Sequence, residues 1–253
     1  MMGRTHALTG WCAGLAVAPL LGAHGVIEAL LLATTTAGYA LLPDLDHPGA
    51  RASRLAGPVS GAVSLMLRAG SRWLYARTRG PRDEPHRGEH RHGTHTLAFA
   101  ALVGTLVWVG TSVAGTAGVL VVLAVGTWLA VDALGDWLLP VVLVAGTVWW
   151  VTAGGDAVVS LAGMPGTLGV AVGVGCFVHC LGDALTLSGC PFLWPLMIRG
   201  ETWFEIRPPR GWRFRTGGLV EQVVVFPLFT ALGVLLVPGV WSGLSWLVSV
   251  SVA

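Results

Sequence analysis

Apolar residues run through this chain in long blocks, separated by short polar turns and by two extended polar loops. The blocks lie at about 8–22, 26–43, 96–115, 117–135, 138–152, 166–187 and 220–250. A helix needs about 20 apolar residues to cross the hydrocarbon core of a bilayer, and residues 96–131 contain no charged side chain at all. The pattern predicts an all-α, polytopic transmembrane helical bundle with six or seven spans. The count depends on whether the last block, interrupted by Pro227 and Pro238, forms one helix or two. The turn "GAHG" (22–25) joins the first two blocks, and Pro48 stops the second by forcing His47 out of helical geometry. Only Arg4 precedes the first block and a second apolar stretch follows at once, so the first block reads as an uncleaved helix rather than a signal peptide.

The first polar loop covers 49–93. Within it, 58–77 spaces its apolar residues helically beside Arg68, Arg72 and Arg77, which predicts an amphipathic helix lying at the membrane interface. The charged and proline-rich stretch 80–93 reads as irregular. The second loop, 198–218, mixes Trp and Phe with arginines, as suits a segment at headgroup level. There is no internal repeat, and residues 1–253 read as a single membrane-embedded domain.

Composition agrees with the pattern. The 253 residues are 54% hydrophobic and 11% charged, with a mean hydropathy of +0.72. A soluble domain of this size would need more charge to cover its surface. The net charge of +2 says little, but its placement is informative: all 15 basic residues are arginine, at Arg4, in 51–91 and in 199–215. Short basic loops stay on the cytoplasmic side, so both loops and the N-terminus are expected there. Membrane topology accounts for the arginines, and no nucleic-acid partner is expected. Cys12, Cys176, Cys180 and Cys190 form no CxxC pair and read as buried thiols.

Ionisable groups at membrane depth cost roughly 2.5–3.5 kcal/mol each, so those that remain usually have a task. His6 precedes the first block; Asp44, Asp46 and His47 close the second. His90 and His95 lead into the third, and His179 and Asp183 lie towards the far end of the sixth. On the topology above, all of these ends meet at the cytoplasmic face. Imidazole and carboxylate are ligands for a divalent metal, zinc first among them. His179 and Asp183 are spaced i, i+4, on one face of a helix. A site this rich in ligands can hold one to three ions, and bridged ions activate water and hold both oxygens of a displacement. His86 and His92 read as part of a solvated basic loop, and His24, in the opposite turn, stands outside the cluster. Asp132 and Asp136 share a face of another helix, which this reading places away from the cluster, lining a polar cavity.

Four motifs in order carry a family resemblance: "GRTHALTG", "LLPDLDHP", "HRHGTHTL" and "HCLGDALTLSGCPFLWP". They resemble the YdjM-type inner-membrane metal-dependent hydrolases, also described as LexA-regulated or LexA-binding. The likeness runs from His6 to about Trp194 and continues more weakly through "RFRTGGLVE". A histidine, an arginine and then Thr-His in that family correspond to His90, Arg91, Thr94 and His95. The family is distantly similar to the zinc-dependent phospholipase C and P1 nuclease group, which implies helical architecture, a zinc cluster and phosphoester hydrolysis.

The expected function is therefore a membrane-embedded, zinc-dependent hydrolase acting at the cytoplasmic interface on a phosphoester, with a phospholipid favoured because the ligands sit where headgroups lie. Arg91, with Arg4, would neutralise phosphate charge, and Asp46 or Asp44 would serve as general base. A membrane metalloprotease or amidase is the alternative enzyme, although no HExxH occurs. A metal or proton transporter would instead use the His and Asp residues with Asp132 and Asp136 as a path, and a non-catalytic scaffold would use the arginine loops to hold anionic lipid.

Overall fold

The computed structural model describes residues 1–23 and 25–243. His24 and the end of the last apolar block therefore lie outside the described residues. The chain is helical: α1 (Gly3–Val17), α2 (Val26–Tyr39), α3 (Pro58–Thr78), α4 (Leu97–Leu134), α5 (Leu138–Ala153), α6 (Asp156–Ala162), α7 (Pro165–Ala184) and α8 (Phe226–Leu235), the last preceded by a π-helical turn, Glu221–Val225. Among the described residues there is no strand, only isolated bridges within the segment after α7.

Helix α2 lies between α1, α4 and α7, and glycines let the backbones touch. A Cβ on Gly10 or Gly14 of α1 would lie 2.7 Å from the Ala40 Cβ or 2.6 Å from the Ala33 Cα. This register runs in opposite directions along the two helices, so α1 and α2 form an antiparallel hairpin. On its other sides, α2 meets Gly175 of α7, where a Cβ would stand 2.7 Å from the Thr36 carbonyl oxygen, and Gly126 of α4 more closely still; a Cβ on Gly38 would stand 1.9 Å from the Gly126 carbonyl oxygen. Small residues at helix contacts are how membrane bundles pack without a hydrophobic drive between helices. The hydroxyls of Thr34 and Thr35 donate to the carbonyls of Leu30 and Leu31 at 2.8 and 2.9 Å, which satisfies them within α2.

Helix α4 folds back on itself. Gly115 has φ 63° and ψ −148°, outside helical geometry. A Cβ on Gly118 would lie 3.3 Å from the Thr111 Cα, whereas seven residues of continuous helix span about 10.5 Å. Residues 97–114 and 116–134 are thus two arms of a hairpin, as the separate blocks 96–115 and 117–135 predicted. The first arm packs antiparallel on α7, with Gly104 against Gly169 and Gly173, and Ala100 against Gly173. Val107 of this arm meets Val119, Val122 and Leu123 of the other in one apolar cluster.

The outward surface is apolar. Val113 is 84% exposed and Leu106 is 61% exposed on α4, a surface suited to lipid rather than water. Among the described residues, three helical stretches, Val26–Asp46, Leu97–Leu134 and Pro165–Ala184, are long and apolar enough to cross a membrane. A fourth arises if α5 and α6, bent by 116°, are one span. Length alone thus supports fewer crossings than six or seven: the 15 residues of α1 extend about 22 Å. α6 has no counterpart in the sequence pattern, because its short apolar run, set off from α5 by Gly154, Gly155 and Asp156, falls between the blocks 138–152 and 166–187. α3 forms where the interfacial helix was expected. Ser60, Ser64, Ser71 and Tyr75 face the protein, while Val59, Met66 and Trp73 face outward.

Candidate metal centre

The α2–α3 connection, the segment before α4, and the ends of α1, α4 and α7 converge at one end of the bundle. Pro43 opens a short 3-10 turn, Pro43–Asp46, just beyond α2, and this turn carries both aspartates. A second short turn, Gly93–His95, precedes α4, where the Thr96 hydroxyl accepts the Phe99 N–H at 3.1 Å and caps the helix. His179 and Asp183 project from the last turns of α7, and His6 from the second turn of α1. His6, Asp46, His95, His179 and Asp183 are all buried to 0% exposure.

Ligand atoms of Asp44, His95, His179 and Asp183 lie within 4.8 Å of one another. The two imidazole Nε2 atoms are 3.1 Å apart. Asp44 Oδ1 is 3.7 Å from each of them, and Asp183 Oδ2 is 3.5 and 3.8 Å from His95 and His179. Four donors around an ion at about 2.0–2.2 Å stand about 3.3–3.6 Å apart in a tetrahedron, so this spacing fits. Tautomers fit as well. His179 Nδ1 donates to the Ala40 carbonyl at 2.7 Å, which leaves the Nε2 lone pair for the site. Asp183 Oδ2 is buried and accepts no hydrogen bond among the described residues, with Arg91 Nε 3.2 Å away as an ion-pair contact.

A second group, Asp44, Asp46, His90 and His95, satisfies the same spacing. Its members are already engaged with one another. Asp46 accepts from His90 Nδ1 at 2.6 Å and from the Thr94 hydroxyl at 2.5 Å, and lies 3.5 Å from His95 Nδ1. Each imidazole nitrogen has one lone pair, and the Nε2 of His95 faces the first group. The geometry casts Asp46 as the carboxylate that orients His90 directly and His95 through the Thr94 hydroxyl, which lies 2.9 Å from His95 Nδ1. Sequence reasoning singled out Asp46 but not this partnership with Thr94, for which spacing gives no signal.

The remaining sequence candidates sit beside the tetrahedron. His6 Nε2 is 3.2 Å from Asp183 Oδ1, and its ring stacks on His179 with centroids 3.7 Å apart. His47 accepts the Gly49 N–H on Nδ1 and meets His90 edge to face. Arg91, in the left-handed region at φ 58°, contacts Asp183 through Nη2 and Nε at 3.2 Å each and donates to the Thr186 hydroxyl. A non-glycine residue there is strained, as is common at functional sites. The Met1 amino group also contacts Asp183. His86 instead pairs with Glu84 at the surface.

Electrostatics follow the packing. Burial alone would lower the pKa of His95, but Asp46, Asp183 and Asp44 outweigh it and raise that pKa well above its ordinary value. Burial lowers the pKa of His47, with His90 adding to the effect. It also lowers that of His92, despite the contact with the His90 carbonyl.

A cavity of about 520 Å³ opens over the site and exposes Asp44, His47 and His90. Arg4, Arg51 and Arg91 also line it, as does Asp132 at the end of α4. Asp132 therefore belongs to this end of the molecule, contrary to the expectation that it lies away from the cluster. The reversal at Gly115 returns the second arm of α4 to the face from which the first departs.

Neither the curated proteins nor the solved structures include a match to this chain. The family model described as YdjM inner membrane protein matches residues 1–252, and so contains the apolar helices and every element of the His/Asp cluster. The chain belongs to the YdjM inner membrane protein family.

Proposed function

We propose that this protein is a multi-pass inner-membrane hydrolase that holds one divalent ion, zinc by its donor set, and cleaves a phosphoester of a membrane lipid at the cytoplasmic interface. The reading rests on one observation: two imidazoles and two carboxylates at tetrahedral spacing beneath a cavity lined by three arginines. In this reading the two arms of α4 are separate crossings, and the arginine placement orients the cluster towards the cytoplasm.

Asp44, His95, His179 and Asp183 would hold the ion, which supplies Lewis acidity and activates water for attack. Arg91 holds Asp183 in place from the cavity side. His90, 30% exposed, donates its Nδ1 proton to buried Asp46. That fixes its tautomer and leaves Nε2 to take a proton from the attacking water. The general base is thus His90, with Asp46 as its orienting carboxylate. Arg4 and Arg51 give the cavity a positive rim suited to phosphate rather than to a neutral amide.

The test is turnover of phospholipid in mixed micelles and of a water-soluble phosphodiester by purified, zinc-loaded protein. Release of a phosphorylated product from the lipid, abolished in His90→Ala with bound zinc retained, is the expected result. Metal-replete protein inert on both substrates would overturn the reading.

A further inference from the structure

Arg51 and Asp132 have no part in the metal cluster, yet both line the cavity above it. Asp132 closes the second arm of α4, a helix without another charged residue, and its side chain is only 7% exposed. A carboxylate so placed needs a partner. The partner is the Nε of Arg51, at 2.7 Å, on a side chain that is 79% exposed. The arrangement is lopsided, because the carboxylate is buried while the guanidinium it holds extends into the open. The terminal nitrogens of Arg51 form no hydrogen bond with any described residue.

Neither of the other two cavity arginines is fixed by a carboxylate through Nε alone. Arg91 is forked onto Asp183 and Thr186, and Arg4 lies over the Phe226 ring at 4.9 Å. A guanidinium fixed through Nε still presents a planar pair of donors, the arrangement that grips two oxygens of one phosphate. We infer that Arg51, positioned by Asp132, is the phosphate clamp of this cavity. The inference rests on the phosphoester reading and gives that site its binding residue. Asp132 is a positioning residue, which cancels excess positive charge while holding the fork in register.

The test uses the zinc-loaded protein in detergent, with inorganic phosphate as the probe. Binding is followed by phosphorus NMR, and KM is measured on a water-soluble phosphodiester and on a phospholipid in mixed micelles. Arg51→Gln should weaken phosphate binding by about 10- to 100-fold, the range for a hydrogen-bonded charged group. KM should rise in parallel and bound zinc should be unchanged. Asp132→Asn should produce a smaller loss in the same direction, and Arg51→Lys should restore part of the affinity. A larger KM change on the lipid than on the soluble ester identifies a lipid headgroup as the source of the phosphate; the reverse identifies a free one. Unaltered phosphate affinity in Arg51→Gln would overturn the clamp, and a fall in melting temperature alone would mark the pair as a tether. Wild-type protein that binds no phosphate would overturn the phosphoester reading and the clamp with it.

Discussion

The two aspartates of "DLDH" are separated by one residue, and the proposed site assigns them different tasks that Asn substitutions distinguish. Asp46→Asn preserves shape. The Asn oxygen can accept the His90 Nδ1 proton where Asp46 does so at 2.6 Å, and its amide can donate to the Thr94 hydroxyl, now 2.5 Å from Asp46. What is lost is negative charge, in a side chain with 0% exposure, behind two imidazoles. Removing such an outer partner typically costs 10–100-fold in metal affinity, or about 1.4–2.8 kcal/mol at about 1.4 kcal/mol per tenfold. Asp44→Asn instead removes one of four donors, from the position 3.7 Å from both imidazoles. Its loss should exceed that range and leave the protein without zinc at free concentrations that still load Asp46→Asn. The assay is zinc content against a chelator-buffered series, on protein purified in detergent, with melting temperature recorded on the same samples. Asp46→Asn should also lose turnover at full zinc, because His90 no longer has a charged partner. The reasoning fails if the two variants lose zinc in parallel, or if Asp46→Asn loses it first.

Further outcomes follow from the same geometry. His179→Ala and Asp183→Asn should each lose the ion while the helices remain folded, since glycine-mediated helix contacts hold the bundle; full zinc with a large drop in melting temperature would show a structural ion pair instead. His86→Ala should leave zinc content unchanged, because His86 pairs with exposed Glu84 and meets the His92 ring rather than any of the four donors; loss of zinc would place it in the site. Gly38→Ala should destabilise by about 1–3 kcal/mol or more, since its Cβ would meet the Gly126 carbonyl at 1.9 Å, whereas Gly61→Ala in α3 has open space and should be neutral or stabilising by up to about 1 kcal/mol; thermal unfolding of both separates contact from propensity. Single engineered cysteines in 51–91 and 199–215 should be labelled only from the cytoplasmic side, and labelling of either loop from outside would refute the orientation.

Much of this was legible in the chain because the relevant physics is local. The lengths of the apolar blocks set the helices, the 58–77 periodicity set α3, and the costly His and Asp residues at block ends marked the cluster. The boundary between the blocks 96–115 and 117–135 also coincides with the reversal of α4. Other features depend on parts of the chain that periodicity cannot relate. The roles of Asp44 and Asp46 depend on Thr94 and His90 arriving from a loop more than 40 residues away. Arg91 turns onto Asp183, and Asp132 comes back to Arg51, only because two helical arms return to one face. The sequence by itself determined which side chains are too costly to be idle. The tertiary structure decided which nitrogen faces which oxygen, because a ligand set is defined by distances of 3–4 Å between residues remote in the chain.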